Sequence, residues 1–532
     1  MKKLPLGMQT FRDIVKGKYV YVDKTRFVYN IANSEKYYFL SRPRRFGKSL
    51  LLDTIAEAFS GDRELFKGLW IYDSDHDFIK HPVIRLDMSN IANDTPEILR
   101  KSLSIALIER AKKEGIDVGY EMPSDNFKVL IEKLQVKYGQ NVVVLIDEYD
   151  KPILDHLNRI ETAEANRQVM RGFYGILKSM DPYLRMTFIT GVSKFTKTSI
   201  FSELNNIRDI TMSEQYADIC GVAIEDLEKY FGEHIDHLSS LGKFKCEGGL
   251  HNAILDWYDG YSWNGETRVI NPYSLLSFFT EGSFESFWYS SGTPTFLIDM
   301  IKNKPSSFLV LNNHEISKKG LDTFEIQKIE LAPLLFQTGY LTVAEKSARG
   351  IAESYTLKIP NLEVREAFYL NLLANFTESE GYIAESAFWR MQDSLEAGNL
   401  QGVLETMKSL FSSIPYELHI KHEHYYHSIF YSIMNLLGFD IDAEVSVSGG
   451  RVDAVLELAE NVYVMEFKYV HCEKDASAQE KRKLFDAALD DGMKQIKDRG
   501  YARKFEGCGK TVHHAAFAFL GRDDIDMRTD KH

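Results

Sequence analysis

Tyr37-Tyr38-Phe39-Leu40-Ser41-Arg42-Pro43-Arg44-Arg45-Phe46-Gly47-Lys48-Ser49-Leu50-Leu51-Leu52 is the stretch on which the fold turns. It opens as an apolar strand and closes as an apolar helix, and Gly47-Lys48-Ser49 at the mouth of that helix is the closing half of a phosphate-binding P-loop. Backbone N–H groups at a helix N-terminus are unpaired and face whatever anion sits there, and the helix dipole adds to the attraction. Lys48 would reach the β- and γ-phosphates of a nucleotide, and the Ser49 hydroxyl would ligate Mg²⁺. Arg45, Phe46 and Gly47 would complete the cradle. The full pattern asks for glycine at position 42, where this chain has Arg42, so the loop cannot begin in the usual glycine conformation. Taken alone, Gly-Lys-Ser reads first as a basic surface loop ahead of an ordinary helix.

A second half-signature weighs against that reading. Val142-Val143-Val144-Leu145-Ile146 is an unbroken apolar run, the pattern of a parallel strand buried on both faces, and it ends in Asp147-Glu148. Asp147 would hold the Mg²⁺ shell, and Glu148 would polarise the attacking water, so hydrolysis as well as binding is expected. Around these motifs the periodicity predicts strands at 37–40, 83–86, 142–146 and 186–190. Helices are predicted at 49–59, 95–114, 124–138 and 162–180. Strands alternating with amphipathic helices predict βαβ units and a parallel sheet. Ser193, just past the last strand, is a candidate γ-phosphate sensor.

The bulk properties set bounds. The chain has 532 residues, 44% hydrophobic and 27% charged, an ordinary globular balance with room for several cores. A net charge of −13 argues against coating of nucleic acid by the whole surface, though a local basic groove stays open. Cys220, Cys246, Cys472 and Cys508 are far apart with no C-x-x-C pair, which fits reduced thiols and offers no zinc site. The start, Met1 to Gly7, lacks a secretory apolar region, and no run of apolar residues is long enough to span a bilayer. A cytoplasmic protein without a membrane partner is expected. Texture divides the chain into an NTPase at 1–215, a helical lid or adaptor at 216–345, a connector at 346–415 and a compact α/β unit at 416–532. The aromatics around Trp257 and Tyr273 read as core.

The last segment carries a second constellation. Gly449-Gly450-Arg451-Val452-Asp453-Ala454-Val455-Leu456-Glu457 and Asn461-Val462-Tyr463-Val464-Met465-Glu466-Phe467-Lys468-Tyr469 read as two strands of a hairpin. In the second, Glu466 and Lys468 share a face and Phe467 takes the other. A symmetric loop at Ala459-Glu460 places Asp453 across from Glu466, and a loop shifted by one residue places it across from Lys468. Either register gathers three charges on one face; an asymmetric loop does not. Asp453 and Glu466 would bind Mg²⁺ or Mn²⁺, which would activate water for phosphodiester hydrolysis, with Lys468 orienting that water or neutralising developing charge. The bland alternative is a cross-strand salt bridge on a solvated face. Glu423, within His422-Glu423-His424-Tyr425-Tyr426-His427, is a candidate accessory acid, and Gln495 on a predicted helix at 485–500 is a candidate neighbour of the metal.

Taken together, these residues resemble a bacterial and archaeal family of AAA-ATPase-like proteins with a C-terminal domain of the PD-(D/E)XK nuclease superfamily. The resemblance is carried by Tyr21-Val22-Asp23-Lys24-Thr25, by Phe39 through Ser49, by Leu145 through Asp150 and by Ser291-Gly292-Thr293-Pro294. In that family the Arg-Pro-Arg-Arg-Phe-Gly-Lys-Ser form replaces the first glycine, so Arg42 is typical of it. The resemblance implies an α/β protein with an N-terminal P-loop NTPase on a parallel sheet, a helical lid and a C-terminal restriction-endonuclease-like domain. It places the nuclease motif on Asp453, Glu466 and Lys468, with Glu423 and Gln495 as outlying members. The function expected is ATP binding and hydrolysis coupled to metal-dependent DNA cleavage, in defence or mobile-element biology by association. The alternative is a nucleotide-dependent switch whose C-terminal domain binds nucleic acid or a partner without cutting. Homo-oligomerisation is compatible with either, and Arg44, Arg45 and Arg208 are all candidates for an arginine finger.

Overall fold

The computed structural model describes residues 1–194, 206–244, 246, 248–288, 297–298, 300–301, 314–321, 329–349, 352–377, 381–412, 432–438, 440–444, 451–470, 477–499, 509–520 and 524–531. The chain forms two compact units, one of Met1–Ser291 with Asn313–Val364, the other of Gly292–Asn312 with Arg365–His532.

In the first unit, β1 (Tyr37–Ser41), β2 (Val83–Asp87), β3 (Val142–Asp147), β4 (Leu184–Gly191) and β5 (Arg208–Asp209) form one parallel sheet in the order β2-β3-β4-β1-β5. Every residue of β1 and of β3 is buried, as their unbroken apolar runs require. Helices Pro96–Lys113, Pro123–Tyr138 and Ile160–Ser179 supply the crossovers. The first of these starts on Thr95, whose hydroxyl accepts from the Ile98 N–H, with Pro96 in the opening turn where its missing N–H costs nothing. Ser41 pairs with Gly191 and Ile146 with Ile189, so the carboxyl ends of β1, β4 and β3 lie along one edge. Ligands of open parallel sheets collect at that edge. β5 is only two residues long and carries no periodicity a sequence reading could detect.

The same unit continues with helices Ile224–Ser240, Gly249–Tyr258 and Pro272–Glu281, packed through Phe231, Ile254, Tyr258, Leu275 and Phe278. Asn271 caps the last of these by accepting from the Tyr273 and Ser274 N–H groups. A two-stranded ribbon, β6 (Val222–Ala223) with β7 (Val269–Ile270), lies beside them in sequence. An antiparallel sheet follows, of β8 (His314–Ser317), β9 (Thr342–Arg349) and β10 (Ala352–Lys358) in the order β8-β10-β9.

The second unit contains helices Gly381–Glu396 and Leu400–Ser412 and a mixed sheet. Its strands are β11 (Asp440–Glu444), β12 (Arg451–Glu457), β13 (Asn461–Val470), β14 (Thr511–Leu520) and β15 (Asp524–Lys531), in chain order. All neighbours are antiparallel except β13 and β14, which need a crossover and receive it from helix Ala478–Arg499. The helix packs Phe485, Leu489, Met493 and Ile496 on Val462 and Val464 of β13 and on Val512, Ala516 and Ala518 of β14. Among the described residues, no helix is long and apolar enough to cross a membrane.

Candidate functional site

The nucleotide loop begins with the residue that breaks the glycine pattern. Arg42 is fully buried, and its guanidinium donates to Ser41 O at 2.9 Å, Thr211 O at 2.8 Å and Tyr216 O at 3.2 Å. It also lies 3.9 Å over the Trp263 ring. Burial pulls it down to about 10, which leaves it a cation at neutral pH. A glycine could do none of this. Arg42 is therefore a strut that fixes the start of the loop to segment 211–217 and to Trp263. Phe46 is buried edge-on against Tyr261 at 4.8 Å and Trp263 at 5.5 Å. Gly47 then takes φ +88°, a backbone that a side chain would strain, and the helix Lys48–Ala58 starts at the next residue.

Lys48 is buried and folded back on the loop. Its Nζ donates to Arg42 O at 2.8 Å and to Pro43 O at 2.9 Å. Burial lowers its pKa, while Asp147 and Glu148 pull the other way. Asp147, at the end of β3, accepts from Thr190 Oγ1 at 2.6 Å and from the Glu148 N–H at 3.1 Å, both on Oδ1. Oδ2 of Asp147 and the Ser49 hydroxyl make no hydrogen bond among the described residues. These are oxygen donors of the hard type that Mg²⁺ takes, beside the open N–H groups of a helix start, so the residues present fit a magnesium nucleotide. Glu148 holds φ +49°, rare for a residue with a side chain. Burial raises its carboxyl, against the opposing charge of Lys48. A carboxyl poised this way suits a general base.

The Ser193 hydroxyl donates to Asp150 Oδ2 at 2.6 Å, and the Ser193 N–H reaches the same oxygen at 2.6 Å. Thr190, not singled out in the sequence, is the β4 residue that reaches Asp147. Asp150, given no role in the sequence beyond closing the run Leu145–Asp150, is buried and ties the turn after β4 to the end of β3. The string Asp147-Glu148-Tyr149-Asp150 was its only signal. The three finger candidates have separated. Arg45 stacks over Tyr273 at 3.8 Å and Arg208 pairs with Glu35 at 2.9 Å, whereas the Arg44 side chain is exposed.

The second constellation lies on the β12–β13 hairpin. Its loop is Ala459-Glu460, and Asp453 is registered directly opposite Glu466. The same row extends to Asp442 of β11. The Asp453 side chain lies outside the described residues, as do Glu423, its histidine neighbours and Ser291-Gly292-Thr293-Pro294. Alternation along β13 sets Glu466 and Lys468 on the face covered by helix Ala478–Arg499, whereas Phe467, stacked on Phe517 at 5.5 Å, takes the other. Glu466 is 2% exposed. Lys468 Nζ is 2.7 Å from Asp491 Oδ2 on the covering helix and 3.5 Å from Glu466 Oε1. Gln495 Nε2 donates to that same Asp491 oxygen at 2.8 Å. Asp491 was missed because it reads as one acid among many on a charged helix. Gly492 lets that helix sit close, since a Cβ there would lie 2.8 Å from Ala516 Cβ and 3.7 Å from Glu466 Cγ. A buried glutamate and a lysine on one face, with an aspartate in register, fit a divalent cation. Among the described residues alone, no three His, Cys, Asp or Glu side chains form a metal cluster.

Comparison with known proteins places both ends of the chain in known families. Residues 5–201 match the model of a family described as predicted AAA-ATPase, and residues 421–528 match that of the PD-(D/E)XK nuclease superfamily. A protein of Azotobacter chroococcum mcd 1, named "Uncharacterized protein in vnfD 5'region", is 35% identical over 519 residues, 96% of this chain and 95% of that protein. The chain thus belongs to a family of AAA-ATPase-like proteins that carry a C-terminal domain of the PD-(D/E)XK nuclease superfamily.

Proposed function

We propose that this protein hydrolyses ATP at the edge of the parallel sheet and uses that cycle to control metal-dependent cleavage of DNA by the β12–β13 hairpin. The observation that carries the reading is the burial of Glu466 beside Lys468 with Asp453 in register across the hairpin. Burying charge in an apolar strand pair is expensive unless it serves chemistry or a tight pair. Bound Mg²⁺ and ATP would be held by Ser49, Asp147, Lys48 and the helix N–H groups, and the cation would supply positive charge against the phosphates. Glu148 takes the proton of the attacking water. Thr190 keeps Asp147 oriented, and Lys48 leaves its two loop carbonyls to meet the phosphates. At the hairpin, Asp453 and Glu466 would hold Mg²⁺ or Mn²⁺, with Glu423 as an accessory acid; the cation would supply a Lewis acid and a more acidic water. Lys468 orients that water or meets the developing charge. A cytoplasmic setting, a homo-oligomeric assembly and a role in defence or mobile-element biology extend the same reading.

The pairing of Lys468 with Asp491 favours a second reading, a nucleotide switch that binds nucleic acid without cutting it. One experiment separates them. Plasmid and single-stranded DNA are incubated with Mg²⁺ or Mn²⁺, with and without ATP, using wild type and Lys468→Ala. Cutting by wild type alone supports the nuclease, and its ATP dependence supports coupling. No cutting by either protein under either metal leaves the switch.

A further inference from the structure

The nucleotide loop is gripped from outside by a short piece of its own unit. Trp288 Nε1 donates to Arg44 O at 3.3 Å, and Arg45 donates to Phe287 O at 3.0 Å. Tyr273, under the Arg45 guanidinium, lies in the first turn of helix Pro272–Glu281. These grips converge on one carboxylate. Glu363 Oε1 accepts from the Trp288 N–H at 2.8 Å and from Ser274 Oγ at 2.8 Å, while the Glu363 carbonyl accepts from Ser286 Oγ at 3.2 Å. Glu363 has no exposed surface. The charged and titratable groups that act on it are Arg45 and Tyr261.

The place of Glu363 in the chain is as informative as its bonds. It is the second residue of helix Leu362–Thr377, and within that helix the chain passes from the first unit, ending at Val364, to the second, resuming at Arg365. A residue needed only to fill the interior would be apolar, since a buried carboxylate is costly. Here it ties both ends of the grip on the loop to the first turn of the helix that leads out of the unit.

We infer that Glu363 is a positioning residue through which occupancy of the loop Arg44–Ser49 is passed into helix Leu362–Thr377, and so to the unit that bears Glu466 and Lys468. The inference rests on the nucleotide reading above. An anion in the loop draws on Arg44 and Arg45 and displaces the Arg44 carbonyl. Trp288 and Phe287, tied to the loop on one side and to Glu363 on the other, carry that displacement to the helix start. A ligand moves such an equilibrium only through contacts that differ between its states, and the loop-side bonds of Trp288 and Phe287 are those contacts.

The test is amide hydrogen exchange across 362–377 in the full-length protein, with and without Mg²⁺-ATP, at concentrations shown to saturate each variant by titration with a fluorescent ATP analogue. In wild type, ATP is expected to change exchange there at least threefold, and Glu363→Gln is expected to abolish the change while still binding ATP. Trp288→Phe, which removes the indole N–H together with part of the buried ring, is expected to halve it and serves if Glu363→Gln does not fold. The wild-type response is also expected to weaken from pH 8 to pH 6 as the carboxylate gains its proton. A wild-type-sized response in either variant overturns the inference, as does ATP binding by wild type with no change in the helix. Failure of wild type to bind ATP removes the nucleotide reading itself, and the inference with it.

Discussion

Lys48 is enclosed by main chain, its ammonium held by the carbonyls of Arg42 and Pro43, whereas Lys468 is enclosed by carboxylates, Asp491 at 2.7 Å and Glu466 at 3.5 Å. The first arrangement is a resting contact. Two neutral carbonyls and the more distant charges of Asp147 and Glu148 are its compensation, and under the nucleotide reading proposed above phosphate oxygens would replace the carbonyls. The second is an ion-pair cluster, in which removing the cation takes a positive charge from beside a carboxylate that is almost fully buried. The two candidate sites thus differ in what their lysines do for the fold. One is carried at a cost, and the other holds its surroundings together.

That difference can be broken by a matched pair of substitutions. Lys48→Met is expected to lower ATP affinity or turnover on the order of 10²–10³-fold with the melting temperature unchanged or raised, because a desolvated charge is removed. Lys468→Met is expected to remove DNA cleavage by a similar factor and also to cost about 1–3 kcal/mol, because Glu466 loses its cation. Calorimetry of both variants beside activity assays checks this; equal stability losses would erase the contrast. Arg42→Gly, which restores the glycine of the general pattern, is expected to destabilise by about 3 kcal/mol, since the loop carbonyls lose a buried donor. Chemical denaturation measures it, and a neutral or stabilising result would show that the strut is dispensable.

Glu363 sharpens the comparison through pH. Burial pushes its carboxyl up to about 7 from an ordinary 4.5, against the Trp288 N–H, the Ser274 hydroxyl and Arg45. A folded value above the unfolded one means that this group's stabilising contribution is full below about 4.5 and is lost as pH rises through about 7. The stability of Glu363→Gln should therefore rise relative to wild type between pH 5 and pH 8, by an amount on the order of 3 kcal/mol. A gap that does not change with pH would refute the burial argument. The smallest effect is expected from Gly492→Ala. Its Cβ meets Ala516 at 2.8 Å, so the covering helix must lift by a fraction of an ångström at about 1–3 kcal/mol. DNA cleavage should fall, whereas ATP turnover at the other site should hold.

What the sequence revealed follows the range of the interactions concerned. The Val142–Ile146 run announces a doubly buried strand by itself, and the two residues between the halves of the Asp453/Glu466 hairpin leave few registers, one of which is realised. Lys48, Ser49 and Asp147 are local signals of the same kind. Arg42 was legible only as a departure, because the carbonyls that explain it lie about 170 residues further along the chain. Glu363 reads as an ordinary acid in the first turn of a helix, and only the fold brings Ser274 and Trp288 to it. Thr190 and Asp491 are likewise common residues on common elements, singled out by partners that no spacing rule connects.

Arg45 and Glu148 share one property that concerns selection more than chemistry. Both hold left-handed backbone that glycine or asparagine would adopt with less strain, at about 1–3 kcal/mol each. A laboratory library of this protein screened only for heat resistance would drift toward those replacements first, and would discard the loop arginine and the candidate base as it improved. Persistence of both residues under a screen for nucleotide turnover, set against their loss under a screen for heat, would distinguish what the chain keeps for work from what it keeps for shape.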